Sequence, residues 1–177
     1  MKRVIPFLAA FILLVPGVAE ARHRRPPAAK LVARDTVQWG RLGTYCWSWL
    51  DEGEKGGTGQ CVDALPSWPR PKSARAQART RIRFRVPGCP TEATLTWWEE
   101  IDENGFPMGD GQGLDARRRL IRREGEAIAC RLLFRLPDHS GHMYLDVFTT
   151  WDQMFQYGHG RGGGGDADYT FHLKLHP

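Results

Sequence analysis

Apolar and polar side chains alternate with a period of two along much of this chain, the pattern of strands that bury one face. It is clearest in Thr80-Arg81-Ile82-Arg83-Phe84-Arg85-Val86, where Ile82, Phe84 and Val86 share one face and the arginines the other. After Pro87-Gly88-Cys89-Pro90, Ala93, Leu95 and Trp97 alternate with Thr94, Thr96 and Trp98, so the two segments read as an antiparallel hairpin, with Arg81 and Arg83 facing Thr and Trp98. Met143-Leu145-Val147-Thr149-Trp151 and Tyr169-Phe171-Leu173-Leu175 predict a second hairpin. Further strands are predicted at Thr36 to Arg41, Thr44 to Leu50, Ala116 to Arg122 and Ala127 to Phe134. Arg117 to Arg123 has helical propensity but is short and uncapped. Leu65 to Ser73, with Pro66, Pro69 and Pro71, reads as a stiff connector. Roughly 7–8 short strands without a long helix predict an all-β fold, an immunoglobulin-like antiparallel β-sandwich.

The N-terminus follows a different pattern. Lys2 and Arg3 precede an apolar run from Val4 to Val15, Pro16-Gly17 breaks it, and Ala19-Glu20-Ala21 offers small residues for cleavage after Ala21. That is the layout of a secretory signal peptide, too short for a membrane span of roughly 20 residues. Arg22-His23-Arg24-Arg25-Pro26-Pro27 lacks apolar periodicity. The expected organisation is therefore a signal at 1–21, a basic flexible arm at 22–35 and one sandwich domain at 36–177, secreted and without a membrane span in the mature chain.

Composition narrows the class. With 41% apolar residues and seven Trp the chain is not disordered over most of its 177 residues. The net charge of +5 falls in blocks. Arg70 to Arg85 holds basic residues without an acid, and Glu92 to Asp115 holds acids without a base. Such blocks suggest facing strands that neutralise one another. Most of the basic residues are Arg and Asn104 is the single Asn, which reads as composition bias, so no nucleic-acid partner is expected.

In an oxidising compartment Cys46, Cys61, Cys89 and Cys130 imply two disulfides. Three connectivities are possible. The preferred one joins Cys46 to Cys61 around a Gly-rich loop and Cys89 to Cys130 between a turn and a later strand. No Cys pair has the short spacing of a structural zinc site.

Candidate chemistry is sparse, and no cofactor or catalytic residue is assigned. Glu100-Ile101-Asp102-Glu103-Asn104-Gly105 resembles the start of a calcium loop, but Gly111 stands where a bidentate Glu is needed and Asn104-Gly105 is a strong turn signal, so a turn is preferred. His139 and His142 lie three apart in a turn, and with His159, Asp166 and Asp168 of the last loop they are weak metal candidates. Gly158 to Gly165 lacks the ending of a phosphate loop and reads as a hairpin tip. Ser48, Ser67, Ser73 and Ser140 lie outside any nucleophile elbow. Glu99 and Glu100, adjacent in a strand, point to opposite faces and cannot cooperate as a glycosidase pair. Two binding surfaces remain. Tyr45, Trp47 and Trp49 form an aromatic row that would be core or, with Trp98, a stacking surface. Arg79, Arg81, Arg83 and Arg85 form a row suited to a polyanion, unless Trp98 and Glu100 pair with it.

Gly43-Thr44-Tyr45-Cys46-Trp47-Ser48 with Gln60-Cys61-Val62-Asp63, and Trp151 with Gly165-Asp166-Ala167-Asp168-Tyr169-Thr170-Phe171, resemble the two ends of a group of uncharacterised bacterial secreted proteins and lipoproteins. The resemblance implies a Cys46–Cys61 disulfide and an immunoglobulin-like sandwich, and it implies no activity. The pair Cys89 and Cys130, the longer Gly-rich loop and the lack of a lipid-anchoring Cys depart from that pattern. The expected function is non-enzymatic binding at the cell envelope, to an envelope polymer or another extracytoplasmic protein. The alternatives are a metal-binding protein using His139, His142 and the last loop, and a small secreted glycan hydrolase that would depend on Glu100.

Overall fold

A computed structural model describes residues 24–33, 36–49, 57–69, 75–121, 129–155 and 163–177, and every regular element among them is a β-strand. The strands are β1 (Lys30–Ala33), β2 (Thr36–Trp39), β3 (Arg41–Trp49), β4 (Thr58–Val62), β5 (Arg75–Gln77), β6 (Arg81–Pro87), β7 (Glu92–Trp98), β8 (Gln112–Gly113), β9 (Ala116–Ile121), β10 (Ala129–Arg135), β11 (Gly141–Phe155) and β12 (Gly163–His176). They form a five-stranded sheet in the order β2-β1-β6-β10-β9 and a seven-stranded sheet in the order β4-β3-β12-β11-β7-β8, with β5 added alongside β12. All pairs are antiparallel except β5–β12. The all-β, disulfide-stapled sandwich expected from the sequence is present, with twelve strands among the described residues instead of seven or eight.

The alternation explains the core. Ile82, Phe84 and Val86 of β6 and Leu132 and Phe134 of β10 face inward from the smaller sheet, and Leu95, Trp97, Met143, Leu145, Val147, Tyr169, Phe171 and Leu173 face inward from the larger. Phe84 meets Tyr169 and Phe171 at centroid distances of 5.9 and 6.0 Å across the sandwich. Gln38 is buried at the seam, where its Nε2 donates to the His172 carbonyl at 2.8 Å. β3 pairs with β12 as far as Arg41↔Thr170, and the Thr170 hydroxyl donates to the Ser67 carbonyl at 2.7 Å.

Two expectations are overturned. The hairpin of 80–86 with 93–98 does not exist, because β6 lies between β1 and β10 in the smaller sheet while β7 lies beside β11 in the larger. Alternation states which side chains turn inward, not which strand lies alongside. Pro87 to Pro90 carries the chain between the layers, with Gly88 at φ 71° and Cys89 tied to Cys130 of β10. Residues 22–35 are likewise not all a solvated arm. Lys30–Ala33 is an interior strand of the smaller sheet, Ala29 is fully buried, and Tyr169 Oη donates to the Pro27 carbonyl at 2.7 Å. The second predicted hairpin is β11–β12, in register from Gly141↔Leu175 to Trp151↔Gly165.

Both preferred disulfides form, Cys46–Cys61 directly across β3 and β4, and Cys89–Cys130 between the crossover and β10. Gly165 sits at φ 135° where an added Cβ would run into the Cys46 carbonyl, which is why a side chain is excluded at that rung of β3–β12.

Two stability outcomes follow. Gly165→Ala is expected to cost at least about 2 kcal/mol in urea denaturation, whereas Gly113→Ala, with nothing within 4 Å of the new Cβ, is expected to stay within about 0.5 kcal/mol. Removing the Cys89–Cys130 link, which closes 41 residues, is expected to cost about 4 kcal/mol and removing Cys46–Cys61, which closes 15, about 3, read as separate losses in thermal unfolding.

Candidate binding surfaces

The two outer faces of the sandwich differ in charge and cover. Directly paired residues share a face, so the register fixes the outward set of the five-stranded sheet. One line crosses all five strands as Trp39, Lys30, Arg85, Arg131 and Arg119. The next line is Val37, Val32, Arg83, Leu133 and Arg117, and Arg81 opposes Arg135 beyond it. Eight basic residues thus occupy this face, and none of its described strand positions holds an acid. The expectation that charge blocks neutralise one another across strands fails here, because Arg strands pair with Arg strands. Trp98 and Glu100 are not partners of Arg81 and Arg83 either, since β7 belongs to the other sheet. Lys30 lies 5.0 Å from the centroid of the exposed Trp39 ring. Like charges directly opposed across strands are destabilising, so this arrangement is held by the burial of Ile82, Phe84, Leu132 and Phe134 beneath it.

The outer face of the seven-stranded sheet is partly covered by two loops. The connector 63–69 crosses it, fixed where Thr170 Oγ1 donates to the Ser67 carbonyl at 2.7 Å and the Ala64 N–H donates to Thr44 Oγ1 at 3.2 Å. The loop after β7 turns at Asp102, whose Oδ1 accepts from the N–H groups of Asn104 and Phe106 at 2.9 and 2.8 Å, with Gly105 at φ 88°. The preferred turn reading of Glu100–Gly105 is what the chain adopts, and Asp102 serves the turn. The loops join where Trp68 Nε1 donates to the Gly105 carbonyl at 2.8 Å.

Between them lies a cleft of about 140 Å³ lined by Gly43, Thr44, Ala64, Pro66, Trp68, Trp98, Pro107, Asp146, Asp168 and Thr170. Trp68 packs edge-on against Trp98 at 6.3 Å and against Tyr144 at 5.4 Å. Asp146 pairs with Thr170 and Asp168 with Phe148, which makes the two carboxylates diagonal neighbours on one face. Burial, then the charge of Asp168, pushes the Asp146 carboxyl up to about 7, against a backbone hydrogen bond from Val147. Burial, then Asp166, raises Asp168 as well. Asp146 Oδ1 is buried and accepts no hydrogen bond among the described residues.

The remaining candidates separate. Tyr45, Trp47 and Trp49 are buried, so this row is core and not a stacking surface, whereas Trp98 reaches the cleft. The metal set is not assembled. His142 pairs with Lys174 and Asp168 with Phe148, six residues further along β11, roughly 20 Å at strand rise. His139 Nε2 bonds the His142 carbonyl at 3.1 Å and its Nδ1 lies 3.6 Å from Glu99. His142 Nδ1 lies 2.8 Å from His172 Nε2, and burial, then His142, lowers the pKa of His172. No group of three metal-ligating side chains occurs among the described residues, and His159 lies outside them. Glu100 is exposed, with its carbonyl accepting from Met108. Asp146 and Trp68 were not singled out by sequence reasoning; the available signal was an Asp inside an apolar strand, a position from which Asp is depleted.

Family models, curated proteins and solved structures provide no match to this chain.

The Asp146 environment sets a pH dependence. Its raised folded value favours the protonated form, so the stability it contributes is complete below about pH 4, falls as pH rises toward about 7, and is level above. Asp146→Asn is expected to flatten that decline and to stabilise the protein at pH 8 by at most about 4 kcal/mol. Urea midpoints measured from pH 4 to pH 8 read it, and an unchanged slope would contradict the assigned environment.

Proposed function

We propose that this chain is an extracytoplasmic, non-enzymatic β-sandwich module that binds an anionic polymer of the cell envelope through the outer face of its five-stranded sheet. The carrying observation is the line of Lys30, Arg85, Arg131 and Arg119 across four neighbouring strands, flanked by Arg81, Arg83, Arg117 and Arg135. Strands lie about 4.8 Å apart and alternate residues about 7 Å apart, so the cations form a grid at the charge spacing of flexible polyanions. Guanidinium groups suit it because each presents a planar fork of donors to carboxylate, sulfate or phosphate oxygens and sheds water readily. Trp39 at the end of the line adds an exposed aromatic face for a sugar ring or an apolar segment of the polymer. Export is supported by the Val4 to Ala21 pattern and by two disulfides, and among the described residues no helix is long and apolar enough to cross a membrane.

The mature protein is expected to bind immobilised heparin, with affinity falling steeply as salt rises. Arg81→Glu with Arg83→Glu is expected to weaken binding at least about tenfold near 0.1 M salt. The charge-matched pair Arg41→Glu with Lys174→Glu, both on strands of the seven-stranded sheet, is expected to weaken it far less. Equal losses in the two pairs would reduce the effect to net charge and end this reading.

A further inference from the structure

The cleft on the opposite layer has no part in polyanion binding, and its chemistry has the opposite sign. We propose that it is a binding site for a small organic cation, an ammonium group carrying apolar substituents, seated against the adjoining indoles of Trp68 and Trp98 and beside the carboxylates of Asp146 and Asp168.

Four observations converge on that class of ligand. First, the two acids stand as diagonal neighbours on adjacent strands, and neither forms an ion pair among the described residues. Among the described residues the cleft lining contains no Lys, Arg or His. The nearest basic residue on the neighbouring strand, Arg41, is engaged with Ser67 Oγ at 2.5 Å. Second, Asp146 Oδ1 is buried and accepts no hydrogen bond among the described residues, so no neighbouring donor there offsets the negative charge that a cation would meet. Third, the walls are apolar, made by two indoles and by Pro66 and Pro107, and aromatic faces attract a cation while their area covers its alkyl groups. Fourth, the walls are fixed before any ligand arrives, by the Trp68 bond to Gly105 and the Thr170 bond to Ser67, so little ordering is left to do on binding.

Other ligand classes fit less well. A divalent metal ion requires six or more oxygens for calcium or an octahedral set for magnesium. This cleft offers two carboxylates, and the hydroxyls of Thr44 and Thr170 are committed to the connector backbone. A sugar needs donors as well as acceptors around its rim, and among the described lining residues the Thr44 and Thr170 hydroxyls already donate to the connector while the carboxylates, when ionised, only accept. At about 140 Å³ the cleft is also smaller than the roughly 300–1,000 Å³ of sites for drug-sized ligands.

Choline and its uncharged carbon isostere 3,3-dimethylbutan-1-ol are the discriminating probes, titrated calorimetrically into the folded protein at about pH 8, where Asp146 is ionised. Choline is expected to bind, with the alcohol at least about tenfold weaker. Asp146→Asn, nearly isosteric and checked for fold by circular dichroism, is expected to weaken choline at least about tenfold. The same variant is expected to leave heparin retention intact, which separates this site from the arginine face. Equal affinity for choline and the alcohol, undiminished choline binding by Asp146→Asn, or no choline binding up to about 10 mM would each overturn the proposal.

Discussion

The β11–β12 hairpin is the member on which both the core and the cleft depend. Its inward residues, Met143, Leu145 and Val147 against Tyr169, Phe171 and Leu173, are almost completely buried. Because side chains alternate strictly across a strand, burying that set fixes the outward set with equal force. His142, Tyr144 and Asp146, with Asp168, Thr170 and His172, are therefore held by the packing of their neighbours. A one-residue slip would place Asp146 in the apolar interior, where an ionised carboxylate is untenable. The hydrophobic effect thus positions the polar groups of this face without touching them.

The same rule builds a second surface on the other layer. Ile82 and Phe84 anchor β6, Leu132 and Phe134 anchor β10, and the intervening arginines have nowhere to go but outward. The result is a molecule with cations spread over one broad face and acids gathered in a cleft on the other. Such polarity orients the protein in an external field of charge, because one face is drawn toward a polyanion while the other is repelled by it.

How much of this was legible from the chain depends on the range of the interaction involved. Alternation in 80–86, 143–151 and 169–175 identified strands and inward residues, because period two is a local property. The Asp102 turn was legible for the same reason, from Asn104-Gly105. Strand partners were not. Pro87-Gly88-Cys89-Pro90 carries local turn signals, yet the chain crosses between layers there, a choice made by distant β1 and β10. The interior place of Lys30–Ala33 was hidden because four residues are too few to show a period beside a basic stretch. The acidic cleft was missed since its parts lie at 43–44, 64–68, 98, 107, 146 and 168–170, each unremarkable alone. Composition gave the arginine row on β6 but not its neighbours on β9 and β10, so the expected neutralisation was drawn within the wrong pair of strands.

The position of β3 bears on how this chain reaches its fold. Trp47 is paired with Gly165 and Tyr45 with Ala167, so the sheet edge that β3 needs is synthesised more than a hundred residues after it. Until β12 exists, β3 can pair only with β4, its neighbour in sequence, and a lone two-stranded ribbon is marginal in water. Cys46–Cys61 crosses that very ribbon. A link made early, between residues close in the chain, would keep Tyr45, Trp47 and Trp49 in a paired strand through the interval when their aromatic side chains have no core to enter. Chains dominated by such distant pairings close slowly, and the interval is when exposed strand edges are most prone to pair with the wrong partner.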